Sequence, residues 1–443
     1  MRDWLDRAPD PLTARKLRVL WDSMALAQVN SVPEIYTLQN RIMDRIVAFR
    51  PVVFGREVSH SERNRILRQE TDRALRREAW VSIAPLSIEV AGDTVELIER
   101  RNDLARRAGY ADYVDLSLSL ASLSRPEVIS IINHTEEASA APYRAFLAEA
   151  AGAAGLESVE PWDLGYLVEK ATAVPTAPFP KDRIVPVLED FVSSFGRDPR
   201  ELGIRIVFHD IPYGGLCVPI DPPSDVRVLA NPQDGHNYYH VLFHEYGHCL
   251  HVVYAGENSQ ILQDEPGVFC EGMAELWGWF TFDPEWLRGF GLDDDLVQRV
   301  TRAHSVQMMA GHRTLAANVT WEYRAYENPR QDLTNLHAAR EARYLLCQPR
   351  PVHRWAGGPF PAGYPVYWQN YVLADLIAAA THRALRERFD GAVLGNPEVF
   401  KTLVAEYWRP GASRTWREKL AGLTGRDLDP AALVYRWGPN QDT

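Results

Sequence analysis

His244, Glu245, Tyr246, Gly247 and His248 set two imidazoles four residues apart, with a carboxylate directly after the first. On a helix, positions i and i+4 share a face, so both rings can be directed at one metal ion. Glu245 can reach toward a metal-bound water without itself ligating the metal. An HExxH pattern of this kind reads as a zinc hydrolase site. There zinc polarises a carbonyl and lowers the pKa of a bound water toward about 7. The bland alternative, two ordinary half-buried histidines, leaves the intervening Glu245 and the acids downstream without a purpose.

Those acids are Glu257, Asp264, Glu265, Glu271 and Glu275. A metzincin site is excluded, because His251 and Tyr254 stand where its glycine and third histidine belong. Asp264 and Glu265 adjoin Pro266 and Gly267 and read as loop acids. Glu271 and Glu275 lie four apart in a stretch, Phe269 to Trp277, that reads as a second helix. Glu271 is the expected third ligand, and Glu275, one turn on, can orient a ligand imidazole or remain a solvated acid. Two histidines and a glutamate with an open fourth position are the ligand set of catalytic zinc, so one Zn2+ per chain is the expected cofactor.

The elements that carry these residues follow from periodicity. Asp234 and Gly235 give turn and cap residues, after which Val241, His244, Tyr246, His248 and Val252 space out as a half-buried helix. Before it, residues 204–208, 215–220 and 226–230 read as short strands between Pro, Gly and Asp turns. A sheet edge beside a zinc site can hold an extended peptide through main-chain hydrogen bonds; a purely structural sheet is the alternative. Further upstream, residues 12–29, 34–48, 59–84, 95–108 and 125–151 read as amphipathic helices, residues 174–180 as a loop and residues 184–195 as another helix. The expected fold is mostly α with one small antiparallel sheet beside the metal helix. Residues 1–200 would form a mainly helical lobe and 201–443 the zinc-bearing lobe.

Composition narrows the function class. A chain of 443 residues, 46% apolar, can bury a large core. The net charge of −11 gives no general attraction to nucleic acid or anionic membranes. No run of about 18 apolar residues occurs; the nearest stretch, Tyr371 to Ala380, is too short to span a bilayer. The first residues lack the apolar core of a signal peptide, so a cytoplasmic location is expected. Four cysteines without a CxxC pair do not make a disulfide framework, and Cys249 and Cys270 read as small core residues. Oligomeric state is not legible.

The chain resembles the zinc oligopeptidases of the thimet oligopeptidase and oligopeptidase F group. More distantly it is similar to angiotensin-converting enzyme and the Taq-type carboxypeptidases. HEYGHCLH (244–251) and FCEGMAE (269–275) look like that group's metal and glutamate helices. Gly214-Gly215-Leu216-Cys217 and residues 226–231 look like its preceding strands, while residues 101–113 and Pro161-Trp162-Asp163 look like upstream segments. The likeness extends over roughly residues 95–385, with only the metal motifs highly specific. It implies a two-lobed helical zinc-peptidase fold with the metal deep in a central channel, open to short unstructured peptides.

Residues 363–371 resemble the tyrosine-bearing segment of the same enzymes. Tyr364 and Tyr367 have the spacing of the converting-enzyme branch. Thimet-type enzymes place a tyrosine where this chain has Trp368 and another matching Tyr371, so two registers stay open. Tyr367 is the favoured oxyanion donor, with Tyr364 and Tyr371 as substrate contacts. His353, with ten residues between it and Tyr364, is a candidate second donor. Gly357, Gly358 and Gly363 suit a mobile loop, and Arg354 is either a carboxylate contact or a surface residue. The expected activity is a zinc metallopeptidase acting on short peptides, with Glu245 moving the proton. The competing expectations are an amide hydrolase with a dedicated biosynthetic substrate and a non-catalytic peptide-binding relative.

Overall fold

A computed structural model describes residues 8–209 and 214–433. In chain order the helices and strands begin with α1 (Pro11–Asn30), α2 (Pro33–Ala48), β1 (Val52–Val53), β2 (Arg56–Glu57), α3 (His60–Gln69) and α4 (Arg73–Val81). There follow α5 (Ala84–Arg107), α6 (Tyr113–Leu120), α7 (Arg125–Ala153), α8 (Leu164–Ala171) and α9 (Ile184–Ser194). Next come β3 (Ile204–Phe208), β4 (Gly215–Asp221), β5 (Asp225–Ala230), α10 (His236–Ala255), α11 (Gly267–Trp279) and α12 (Pro284–Gly289). The remainder is α13 (Asp294–Glu327), α14 (Leu333–Leu345), α15 (Phe360–Gly363), α16 (Trp368–Arg388), α17 (Pro397–Leu403) and α18 (Trp416–Thr424). Helix accounts for 68% and strand for 5%, so the chain is mostly α with two small sheets.

Three sequence expectations are corrected. The sheet before the metal helix is mixed, not antiparallel: its order is β3-β5-β4, with β5 parallel to β3 and antiparallel to β4. An all-antiparallel sheet would follow from pairing neighbours in the chain, whereas β5 inserts between β3 and β4. β1 and β2 form a second, two-stranded antiparallel ribbon that the sequence reading missed. The long helix expected over residues 59–84 is broken, because Asp72 accepts a hydrogen bond from the Ala74 amide and starts α4 afresh.

The described chain forms two compact units, each discontinuous in sequence. One comprises Met1–Trp21, Val174–Ser305 and Leu373–Thr443; the other comprises Asp22–Ala173 and Val306–Val372. In the first, Tyr239, Leu242, Phe243, Tyr246, Leu250 and Val253 make one buried face of α10. That face lies on an aromatic layer in which Phe191 meets Phe243 at 5.1 Å and Trp277 at 5.5 Å between ring centroids. Burying each such side chain stabilises by about 1.5–3 kcal/mol, so the roll of the helix is strongly determined.

In the second unit, polar residues of the upstream segments act as internal struts. Asp163 is fully buried and receives Arg76 at 2.8 Å and Arg73 at 2.6 Å. Asn102 accepts from the Tyr113 amide at 3.1 Å and donates to the Tyr326 carbonyl at 2.8 Å. Removing one partner of such a buried pair leaves the other unsatisfied, which costs several kcal/mol for a charge.

Candidate metal centre

The roll imposed by the aromatic face turns the opposite stripe of α10, His240, His244 and His248, toward α11. Gly247 lets the two helices touch: a Cβ there would sit 2.9 Å from both Ala274 Cα and Trp277 Cβ. That close approach brings Glu271 beneath both imidazoles. Its Oε2 lies 3.6 Å from His244 Nε2 and 3.6 Å from His248 Nε2. The two rings are 4.8 Å apart at 83°.

Three candidate ligand atoms thus fall within 4.8 Å of one another, and this trio could hold a metal ion. Bonds of about 2.0–2.2 Å in a tetrahedral arrangement keep ligand atoms about 3.3 Å apart, so the residues fit zinc with small adjustments. The electrostatics point the same way. Burial lowers the basicity of His244, but Glu275, Glu271 and Glu245 outweigh it and hold the imidazole well above its ordinary pKa. Burial likewise works to raise Glu271, and the two imidazoles overcome it and hold the carboxyl below its usual range. The cluster favours positive charge at its centre, and a divalent cation supplies that charge while displacing protons.

Glu275 lies with Oε1 3.3 Å from His244 Nδ1, the ring nitrogen away from Glu271, which is the position from which a carboxylate orients a ligand imidazole. Its other oxygen is 4.0 Å from His240 Nε2. His240 was missed in the sequence, although it stands one helical turn before His244 and continues the same stripe. Burial lowers its pKa, opposed in part by Glu275. Gly278 packs against it, since a Cβ there would meet the His240 ring at 2.6 Å.

Glu245 lies on the next stripe of α10, facing β4. Gly215 is pressed against it: a Cβ at that position would lie 2.6 Å from Glu245 Cγ. β4 is an edge strand, and among the described residues no strand pairs with its outer side. Glu265 lies in the loop before α11, as expected, with its side chain buried: Oε2 is 2.7 Å from His251 Nε2, and the carboxylate accepts from the buried Lys419 ammonium. This ion pair ties the far side of α10 to α18 and keeps Glu265 away from the metal trio. Asp234 does not cap α10; it accepts from the Lys181 amide at 2.9 Å.

Tyr364, Tyr367, Tyr371 and His353 belong to the second unit. Tyr364 is exposed, whereas Tyr367 and Tyr371 are half-buried with ring centroids 5.4 Å apart. Val366, directly before Tyr367, holds φ of 54°, a costly value for a β-branched residue. Its amide donates to Glu322 Oε1 at 2.8 Å and its carbonyl accepts from Gln369 Nε2 at 2.6 Å. Arg101 donates to the Pro361 and Ala362 carbonyls just upstream. Glu322 is 2% exposed, and burial pushes its carboxyl up to about 7. No motif marked Glu322 or Arg101 for this task.

His353 Nδ1 is 3.0 Å from Ser87 Oγ, which also accepts from the Ala356 amide. Gly357 packs against Ile83, whose Cγ1 would be 2.7 Å from an added Cβ, and so lies against the start of α5. Arg354 is neither a surface residue nor open to a carboxylate ligand: its guanidinium lies 3.9 Å over the Trp80 ring and 3.4 Å from Glu341.

The chain matches no protein-family model and no curated protein. No helix among the described residues is long and apolar enough to cross a membrane.

Proposed function

We propose that this chain is a zinc-dependent metallopeptidase that hydrolyses short, unstructured peptides. The observation that carries this reading is Glu245 beside the cluster of His244, His248 and Glu271, a carboxylate with a place in hydrolysis and none in a structural metal site. Zinc bound by the three would supply Lewis acidity toward a carbonyl and acidify water. Glu245 accepts the proton of the attacking water and delivers it to the departing amine nitrogen. Glu275 orients the His244 ring through Nδ1, so that Nε2 would be the nitrogen available to a metal.

The outer edge of β4 offers main-chain groups to an extended substrate, a sequence-tolerant mode of recognition. Tyr367 donates to the developing oxyanion, Tyr364 and Tyr371 contact substrate, and His353, with Nδ1 already engaged by Ser87, offers its other nitrogen. The likeness of HEYGHCLH and FCEGMAE to the thimet and oligopeptidase F group supports the substrate class. That group's two lobes with zinc in a deep channel, and a cytoplasmic location, belong to the same proposal.

The test is cleavage of a mixed short-peptide library by the zinc-loaded full chain, read by mass spectrometry. Glu245→Gln is expected to keep its zinc and lose about 10²–10⁴-fold in rate. Retained turnover in that variant refutes the proton-transfer role, and a wild-type chain that holds zinc yet cleaves nothing removes the peptidase reading.

A further inference from the structure

Strand β4 runs along α10 in register. Gly215 and Cys217, two apart on a strand, face the same way, and Glu245 and Cys249, four apart on a helix, share one stripe. Gly215 therefore meets Glu245, and Cys217 meets Cys249 one step on. The Cys249 thiol donates to Cys217 Sγ at 3.2 Å. Cys249 is fully buried, whereas Cys217 is partly open. Cys270 turns elsewhere, with its Sγ 3.6 Å from the Glu265 carbonyl.

We propose that Cys217 and Cys249 are a reversible oxidation site at which a disulfide ties the sheet edge to the metal helix. Hydroperoxides are the oxidant class. The Cys217 thiol gives up its proton, its sulfur attacks the outer peroxide oxygen, the O–O bond breaks, the departing oxygen takes that proton and leaves as alcohol or water, and Cys217 carries a sulfenic acid. Cys249 sulfur then attacks Cys217 sulfur, the S–O bond breaks, and the hydroxide leaves as water with the Cys249 proton. Two electrons pass to one hydroperoxide, and a dithiol reverses the change.

Sulfur atoms in a disulfide are about 2.05 Å apart, so closure draws β4 toward α10 by about 1 Å. No space receives that movement next door, because Gly215 is already against Glu245. The bond therefore displaces the Glu245 carboxylate, and, resting on the peptidase reading above, it slows hydrolysis. A misplacement of about 1 Å at a reacting group costs up to about 10²-fold.

The experiment treats the full chain with hydrogen peroxide, blocks remaining thiols and maps peptides by mass spectrometry. A cross-linked peptide joining Cys217 to Cys249, lost on adding dithiothreitol and absent from Cys217→Ser, is the expected result. Overoxidation of Cys217 without a cross-link, or a cross-link through Cys270 or Cys347, overturns the proposal. In the activity arm, the oxidised wild type is expected to be roughly 10- to 10²-fold slower and recover on reduction, with Cys249→Ala unaffected by brief peroxide. Full activity in the cross-linked protein overturns the link to Glu245. Absence of hydrolysis in both redox states is a failure of the peptidase reading alone and leaves the thiol result standing.

Discussion

The helix pair α10–α11 and the tyrosine segment from Phe360 to Tyr371 are held in place by different means. The helices are neighbours in the chain, rolled by an apolar face on an aromatic layer and brought close by Gly247. The tyrosine segment is bent through a left-handed Val366 and clamped by buried polar groups from remote positions, Glu322 and Arg101. Apolar packing tolerates change at many positions and fixes a whole face at once. A polar clamp depends on each partner, since a buried group left without one carries its full desolvation cost.

The largest break in this comparison is expected on the helix side. Glu271→Ala should drop zinc well below one per chain by elemental analysis and lower hydrolysis by at least about 10³-fold, the loss of several kcal/mol of metal assistance. Unchanged zinc stoichiometry rejects Glu271 as a ligand. On the other side, Tyr367→Phe should leave the metal in place and reduce kcat by about 10²–10³. A wild-type rate in that variant moves the donor role to Tyr364 or Tyr371.

The smallest effect concerns the clamp itself. Burial raises Glu322 from its ordinary 4.5 to about 7, so between those values the folded chain keeps a proton that the unfolded chain has lost. Stability contributed by this group is therefore present at low pH and falls as pH rises through that window. Glu322→Gln keeps an acceptor for the Val366 amide and removes the titration. Relative to wild type, the variant should gain up to about 3 kcal/mol between pH 5 and pH 8, measured by urea unfolding at both. An equal difference at both pH values rules out titration of this carboxyl.

Much of the helix side was legible because its information is local. The i, i+4 row of imidazoles, the acids of the next helix and the alternation of residues 226–230 all follow from backbone periods. His240 was equally within reach, one turn before His244, but a motif ends where its pattern ends. Glu265 was read as a loop acid from its Pro-Gly neighbours and is one, but its buried ion pair was not legible, because its partner Lys419 is distant in sequence.

By itself the sequence determined the helical class, the strand segments and the three residues that converge near Glu245, since each depends on spacing within one or two adjacent elements. Only the tertiary structure decided that β5 lies between β3 and β4, that Cys217 abuts Cys249, and that Glu322 and Arg101 hold the tyrosine turn. Backbone geometry repeats every few residues and is written along the chain. The partner of a buried polar or thiol group is chosen by how distant segments pack, and sequence spacing carries no record of that choice.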